Sequence, residues 1–151
     1  MKNTLKNLMQ EHLQEQTESL MTQEKIQNHI ELCKDTLVIE QEKGYMLFKY
    51  LGTRMALLCD EEYNRMRIIS PITKYSDLAP KIKDSLMDSN FHLALDARYA
   101  VTEDTLYAAF LHPLSTLHIA DLQSAIKQIY NLATSFGITY RSAQIEFTKK
   151  K

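Results

Sequence analysis

Residues 45–70 of the chain read YMLFKYLGTRMALLCDEEYNRMRIIS, and this stretch decides the fold. Three short apolar runs stand out in it, at residues 45–51, 54–59 and 65–70. Gly52 separates the first run from the second, and the polar residues 60–64 separate the second from the third. Short strand-like runs joined by tight turns predict an antiparallel meander. Pro71 is expected to end its third strand.

The third run also indicates which side chains share a face. Side chains alternate between the two faces of a strand. Met66, Ile68 and Ser70 therefore belong to one face, and Arg65, Arg67 and Ile69 belong to the other.

A short helix and a hairpin are predicted after the meander. Ser76 is the expected N-cap of a helix that runs to about Met87, because Leu78, Ile82 and Leu86 recur at four-residue spacing. Asn90 is expected to close this helix. Strict alternation over residues 91–101 predicts a long strand, and residues 105–111 predict its hairpin partner, which Pro113 ends.

Helical periodicity dominates the two ends of the chain. An apolar stripe over residues 119–136 predicts a long amphipathic helix that stops at Gly137. Residues 1–34 are Gln/Glu-rich, and a narrow stripe (Leu5, Leu8, Met9 and Leu13) predicts helices over about 3–18 and 22–34. Three further segments are weaker: a short strand-like run, a final edge strand and a frayed tail, at residues 36–41, 138–147 and 149–151.

These elements predict an α+β fold with an antiparallel five-stranded sheet, in the order α-β-β-β-α-β-β-α. A chain of 151 residues has the size of one domain. We expect a single domain over residues 1–151, with an N-terminal helical extension over 1–20, a core over 22–136 and a C-terminal extension over 138–151.

Composition limits the function. A formal net charge of −1 argues against a nucleic-acid partner bound through a global positive field. No apolar run is long enough to span a bilayer, and residues 1–21 do not read as a signal peptide, so we expect no membrane partner and a cytoplasmic protein. Cys33 and Cys59 lack metal-site spacing and are expected to be buried hydrophobes in a reducing compartment.

Few polar groups are candidates for chemistry. His92, Asp96 and Arg98 fall on one face of the predicted strand 91–101, where a solvated sheet face is the commoner explanation.

His112 and His118 flank Pro113, and a metal would need a third ligand such as Asp121. The acids 60–62 form a polar turn, and three glycines in the whole chain allow no conventional nucleotide-binding loop. No cofactor and no metal are therefore expected.

The methionines of the meander suggest an interaction surface. Met46, Met55 and Met66 each fall on a predicted strand. Thioether side chains fill cores, and they also suit surfaces that accept varied apolar partners. A sheet whose helices cover one face would leave an apolar patch on the other.

The sequence resembles the secretion-chaperone-like fold. The likeness lies in RMALLCDEEYNRMRIISPI, NFHLALDARYAV and LQSAIKQIYNLATSF, which are residues 54–72, 90–101 and 122–136. This fold is shared by type III secretion chaperones of the Tir-chaperone class and by the related sensory-regulator-like family. The resemblance covers residues 22–136 and rests on the order of elements and their apolar pattern.

The resemblance implies a bacterial, non-catalytic protein. Such chaperones are homodimers that hold a segment of a client or effector protein on apolar patches. By position, seven residues of the meander would make the client or dimer contacts: Met46, Phe48, Tyr50, Met55, Leu57, Met66 and Ile68.

Two alternatives stay open. One is a sensory, regulatory or scaffold protein of the same fold without a secretion client. The other is an enzyme with a polar pocket formed by His92, Asp96, Arg98 and His112.

Overall fold

The computed structural model describes residues 2–140, except for the side chains of residues 14–19. Four helices are present: α1 (Lys2–Ser19), α2 (Gln23–Leu32), α3 (Pro80–His92) and α4 (Ile119–Ser135). Six strands are present: β1 (Thr36–Glu42), β2 (Tyr45–Tyr50), β3 (Thr53–Asp60), β4 (Arg65–Lys74), β5 (Arg98–Thr102) and β6 (Thr105–Pro113).

The six strands form one antiparallel sheet in the order β1-β2-β3-β4-β6-β5. This confirms the predicted α+β fold, with its meander and its hairpin. The strand count differs, because β1 pairs with β2 on both sides of a register shift between Val38 and Glu40 and adds a sixth strand. Its second half, Glu40–Glu42, is polar and exposed, as suits an edge strand, and this weakens the apolar signal in the sequence.

Pro71 does not end its strand. β4 continues to Lys74, and the register against β6 shifts between Pro71 and Thr73. Proline has no backbone N–H to donate to a ladder, and a strand irregularity is one of the places where a sheet tolerates it.

The prediction of a strand over residues 91–101 was wrong for its first part. Phe91 and His92 form the end of α3, and β5 begins only at Arg98. The helix starts at Pro80, whose fixed backbone suits a first helical position. Ser76 is not its N-cap: its backbone N–H and hydroxyl donate to the Asp104 carboxylate in the β5–β6 turn.

Helix α4 was predicted correctly to within one residue. It begins after His118 and ends at Ser135, and Gly137 follows with a φ of +80°, which glycine adopts without strain. The predicted edge strand over 138–147 is not formed by residues 138–140, which complete a turn, and its remainder lies outside the described residues, as does the tail 149–151.

The core lies between one face of the sheet and the helices. Three helices contribute side chains to the same buried cluster as the inward side chains of β2, β3, β4 and β6. These are Ile26 and Ile30 of α2, Leu86 of α3, and Leu122 and Ile129 of α4. The helices therefore cover one face of the sheet, and this leaves the other face as the place to look for a site.

Candidate protein-binding surface

The strand register assigns the apolar side chains to two faces. Residues that lie directly opposite each other on neighbouring strands point to the same side of a sheet. The first row runs across four strands and is buried in the core: Met46, Leu57, Ile68 and Phe110. The second row runs beside it on the opposite face: Leu47, Ala56, Ile69 and Ala109.

We call this opposite side the open face. Leu47, Ala56, Leu58 and Ile69 are half-buried, and none of them belongs to the core cluster. Ala109 is only 7% exposed and is likewise outside that cluster. Leu111 extends the apolar surface and is 60% exposed.

The alternation predicted for residues 65–70 is confirmed. Met66, Ile68 and Ser70 face the core, whereas Arg65, Arg67 and Ile69 lie on the open face. Most of the residues predicted to make client contacts lie in the core, however: Met46, Phe48, Met55, Leu57, Met66 and Ile68 are all at most 1% exposed. Tyr50 is half-buried, with its ring edge against Tyr130. A partner could touch the six buried side chains only if the covering helices moved.

Basic and acidic side chains border the apolar row. Arg54 and Arg67 are exposed on the open face, and neither forms an ion pair within residues 2–140. Arg65 donates from Nη1 to the carbonyl of Asn64 at 2.8 Å, and Arg98 donates from Nε to the carbonyl of Leu95 at 3.1 Å. By strand register, Lys49 adds a fifth basic group to this face, and Glu40, Glu42 and Asp60 add three acids, so the open face keeps a small excess of positive charge.

The two edges of the sheet differ. At β5, the Asn90 side chain forms two hydrogen bonds with the backbone of Tyr99. Its Oδ1 accepts from the N–H at 2.8 Å, and its Nδ2 donates to the carbonyl at 2.9 Å. Gln128 accepts the N–H of Ala97 at 3.0 Å. At β1, Leu37 and Ile39 are exposed, and in the described chain no side chain bonds the backbone groups between Leu37 and Gln41.

Helix α1 carries a second exposed apolar feature. Leu5, Leu8, Met9 and Leu13 are each 58–65% exposed. The predicted helix is therefore present, and its stripe is not buried against the described part of the protein.

Three of the four residues of the predicted polar pocket do come together. Asp96, Arg98 and His112 line one cleft, with Asp121 as a fourth polar member. His92 is not part of it: its Nε2 lies 3.7 Å from an Asp88 carboxylate oxygen at the end of α3. The described residues that line the cleft include no Ser, Thr, Cys or Lys, so they offer no hydroxyl, thiol or amine nucleophile.

The other polar candidates have structural roles. His118 caps α4, where its backbone N–H lies 3.4 Å from an Asp121 carboxylate oxygen. Asp60 accepts the Tyr63 N–H at 3.0 Å and so stabilises the β3–β4 turn. Within residues 2–140, no three His, Cys, Asp or Glu side chains are grouped so that they could hold a metal ion.

The two cysteines are half-buried free thiols. Burial raises the pKa of Cys59 to about 11, and the nearby Glu61 carboxylate adds to this effect. Burial, with help from Asp35, also raises the pKa of Cys33. Both shifts keep the thiols protonated near neutral pH, which makes them poor nucleophiles.

Fold and surface together define an α+β protein with one helix-covered sheet face and one open, apolar and arginine-rimmed sheet face. No protein-family model matches the chain, and no curated protein matches it. No helix among residues 2–140 has the length and apolarity required to cross a membrane.

The solved structures that are similar to the chain include two protein complexes, in line with the resemblance recognised in the sequence. One is the HopA1–SchA chaperone–effector complex, with a TM-score of 0.48 at 12% identity, covering 80% of this chain and 92% of that chain. The other is the ExsC–ExsE complex, with a TM-score of 0.43 at 13% identity, covering 68% and 74%.

Proposed function

We propose that the protein is a non-catalytic chaperone or adaptor, which holds a segment of a client protein on the open face and acts as a cytoplasmic homodimer. The observation that carries the proposal is the row Leu47, Ala56, Ile69 and Ala109, which crosses four strands without a covering helix. Contiguous apolar surface of this kind marks interaction sites in soluble proteins.

The binding energy would come from covering this row. Burial of apolar surface contributes about 25 cal/mol per Å². Ordering an unfolded client segment costs part of that energy, which favours a client that brings several apolar side chains at once. Leu58 and Leu111 widen the surface along the same face and would meet such side chains.

The arginines beside the apolar row would determine which clients bind. Arg54 and Arg67 have no acidic partner within residues 2–140. A client with acidic residues beside its apolar ones would pair with them and would approach faster at low salt. This complementarity is local, so it is compatible with the near-neutral charge of the whole chain.

Edge strand β1 offers a second mode of contact with the same client. Its side chains Leu37 and Ile39 are exposed, and an extended segment could pair with its backbone. The opposite edge cannot accept a strand at Ala97 or Tyr99, because Gln128 and Asn90 hold the backbone groups there.

An enzyme is the weaker interpretation of the polar cleft. Several of its polar side chains are engaged in hydrogen bonds within the chain: Asp96 with Gln128, Arg98 with the Leu95 carbonyl, and His112 with the Pro113 carbonyl. These hydrogen bonds hold the three side chains in place. His92, the fourth residue of the predicted pocket, lies beside Asp88 on α3 instead.

Ile69 tests the proposal. Ile69→Glu puts a charge into the apolar row without touching the core, and Phe91→Glu is the matched control, since Phe91 is an apolar residue exposed on α3. Each tagged protein is used to capture partners from the native host, with quantitative mass spectrometry. A stoichiometric partner retained by wild type and by Phe91→Glu, but lost at least tenfold with Ile69→Glu, supports the open face as the binding site.

A partner that survives Ile69→Glu unchanged contradicts the proposal, as does the absence of any stoichiometric partner. Circular dichroism must first show that both variants are folded. The identity of the partner separates a secreted client from a regulatory one. Light scattering of the purified protein at micromolar concentration tests the dimer, and a mass of one 17.6 kDa chain would remove that part of the proposal.

A further inference from the structure

The sheet has a gap beside β6. β5 begins at Arg98, which lies opposite Ala109, whereas β6 continues to Pro113. Beyond Ala109, β6 still pairs with β4 on one side, up to the pair Arg65–Pro113. On its other side no strand among residues 2–140 continues the sheet.

The backbone of Leu111 points into this gap. Tyr99 turns its N–H and carbonyl outward to Asn90, so its neighbours Arg98 and Ala100 turn theirs toward β6. Arg98 lies opposite Ala109, and the direction alternates along a strand. The N–H and carbonyl of Leu111 therefore point the same way as those of Ala109, into the space that β5 does not fill.

A cleft of about 420 Å³ occupies the gap. Leu95, Phe110 and Leu111 contribute apolar walls, and Asp96 and Asp121 contribute carboxylates. Arg98 and His112 also line it. With two carboxylates and one guanidinium, the lining is negative by one charge when His112 is neutral, in contrast to the arginine-rimmed open face.

The lining of the cleft is fixed by buried contacts. Gln128 is 4% exposed and accepts the N–H groups of Asp96 and Ala97, while its Nε2 donates to the Asp96 carboxylate at 3.1 Å. Nδ1 of His112 lies 2.7 Å from the Pro113 carbonyl. That bond requires a proton on Nδ1, so a neutral His112 has a lone pair on Nε2 to offer a ligand.

We propose that this cleft binds an extended segment of a protein partner through a lysine or arginine side chain. Leu111 would pair with the backbone of that segment, as β5 pairs with β6 further along. The aliphatic stem of the basic residue would lie on the apolar walls, and its charged end would reach Asp96, Asp121 and His112. The proposal goes beyond the binding role of the open face, because the cleft lies at the end of β6, where Arg98 and Leu111 border both surfaces, and takes a basic ligand.

Three synthetic pentapeptides test it: Ac-Thr-Val-Lys-Val-Thr-amide and its versions with norleucine or glutamate in the centre. Norleucine keeps an aliphatic stem and removes the charge. Binding to the full chain is measured by NMR titration, with shifts followed at the Leu111 amide and at the His112 ring. We expect the lysine peptide to bind at least tenfold more tightly than the norleucine peptide, and the glutamate peptide not to bind.

The double substitution Asp96→Asn and Asp121→Asn should abolish the preference for lysine, since it removes both charges and keeps side-chain size. Asp60→Asn and Asp88→Asn are controls, because these exposed acids lie outside the cleft, and they should retain the preference. Thermal unfolding shows whether each variant is folded.

Equal affinity for the lysine and norleucine peptides would overturn the proposal, as would a lysine preference that persists in the double variant or no binding of any peptide. Binding that appears only after residues 148–151 are removed would assign the cleft to the chain's own lysines and would also overturn it. Each of these results leaves the Ile69-dependent test of the open face unaffected.

Discussion

Both faces of the sheet carry apolar side chains, but only one face is covered by helices. In β3, Leu57 is fully buried in the core and its neighbour Leu58 is half-buried on the open face. In β4, Ile68 and Ile69 repeat this contrast. The difference lies in the helices, because α2 and α4 add their apolar side chains to the core of one face only. An apolar side chain thus marks a core position only where another element packs against it.

The largest expected difference between the faces is in stability. Leu57→Ala leaves a cavity in the core and should lower the free energy of unfolding by about 2–5 kcal/mol. Leu58→Ala removes the same atoms from a face without a covering helix and should cost less than about 1.5 kcal/mol. Urea denaturation followed by circular dichroism measures both values. Equal losses for the two leucines would mean that the open face is covered in solution.

A smaller effect is expected from a polar residue on the covered side. Gln128→Leu replaces the buried amide with an apolar side chain and leaves the N–H groups of Asp96 and Ala97 without an acceptor. It should lower the free energy of unfolding by about 1–3 kcal/mol. Gln123→Leu is the control on the same helix, since Gln123 is exposed, and it should stay within about 0.5 kcal/mol of wild type. Thermal unfolding that fails to separate the two variants would show that Gln128 does not hold the start of β5.

The smallest effect concerns thiol reactivity and leaves the fold intact. Cys59 has a pKa raised from 9.0 to about 11, so its thiolate at pH 8 should be about 100-fold scarcer than that of an ordinary cysteine. Alkylation by iodoacetamide, followed by peptide mass spectrometry, should be correspondingly slower in the native than in the urea-unfolded chain. Similar rates would show that Cys59 is exposed.

The same pKa shift has a defined sign for stability. The folded chain holds the Cys59 proton more tightly than the unfolded chain does, so this contribution is complete below pH 9. It is lost as the pH rises from 9 through 11. A rise in stability over that interval would contradict the direction of the shift.

The sequence predicted most elements of the fold, with errors where α3 and β5 begin. Local periodicity predicted three features that the structure confirms: the three strands from Tyr45 to Ser70, the face shared by Arg67 and Ile69, and helix α4. The start of α3 at Pro80 was missed, and the alternation over residues 91–101 was misleading, because a run of alternating residues can close a helix as well as form a strand.

The sequence alone could not tell which face of the meander is covered. Met46, Phe48, Met55, Leu57, Met66 and Ile68 were favoured as contacts, and the structure buries them. Both faces of the meander are apolar, so only the position of α2 and α4 in space decides between them. The cleft depends on where β5 begins relative to β6, and local periodicity carries no information about that offset.

The unequal edges of the sheet also set a limit on self-assembly. If two copies joined through β1, their sheets would merge into one of twelve strands, with β5 at each outer end. Asn90 and Gln128 already occupy backbone groups at those ends, so a third copy would find few free groups to continue the ladder. Growth through β1 and the capped part of β5 would therefore stop at a pair, which limits edge-to-edge polymerisation along this direction.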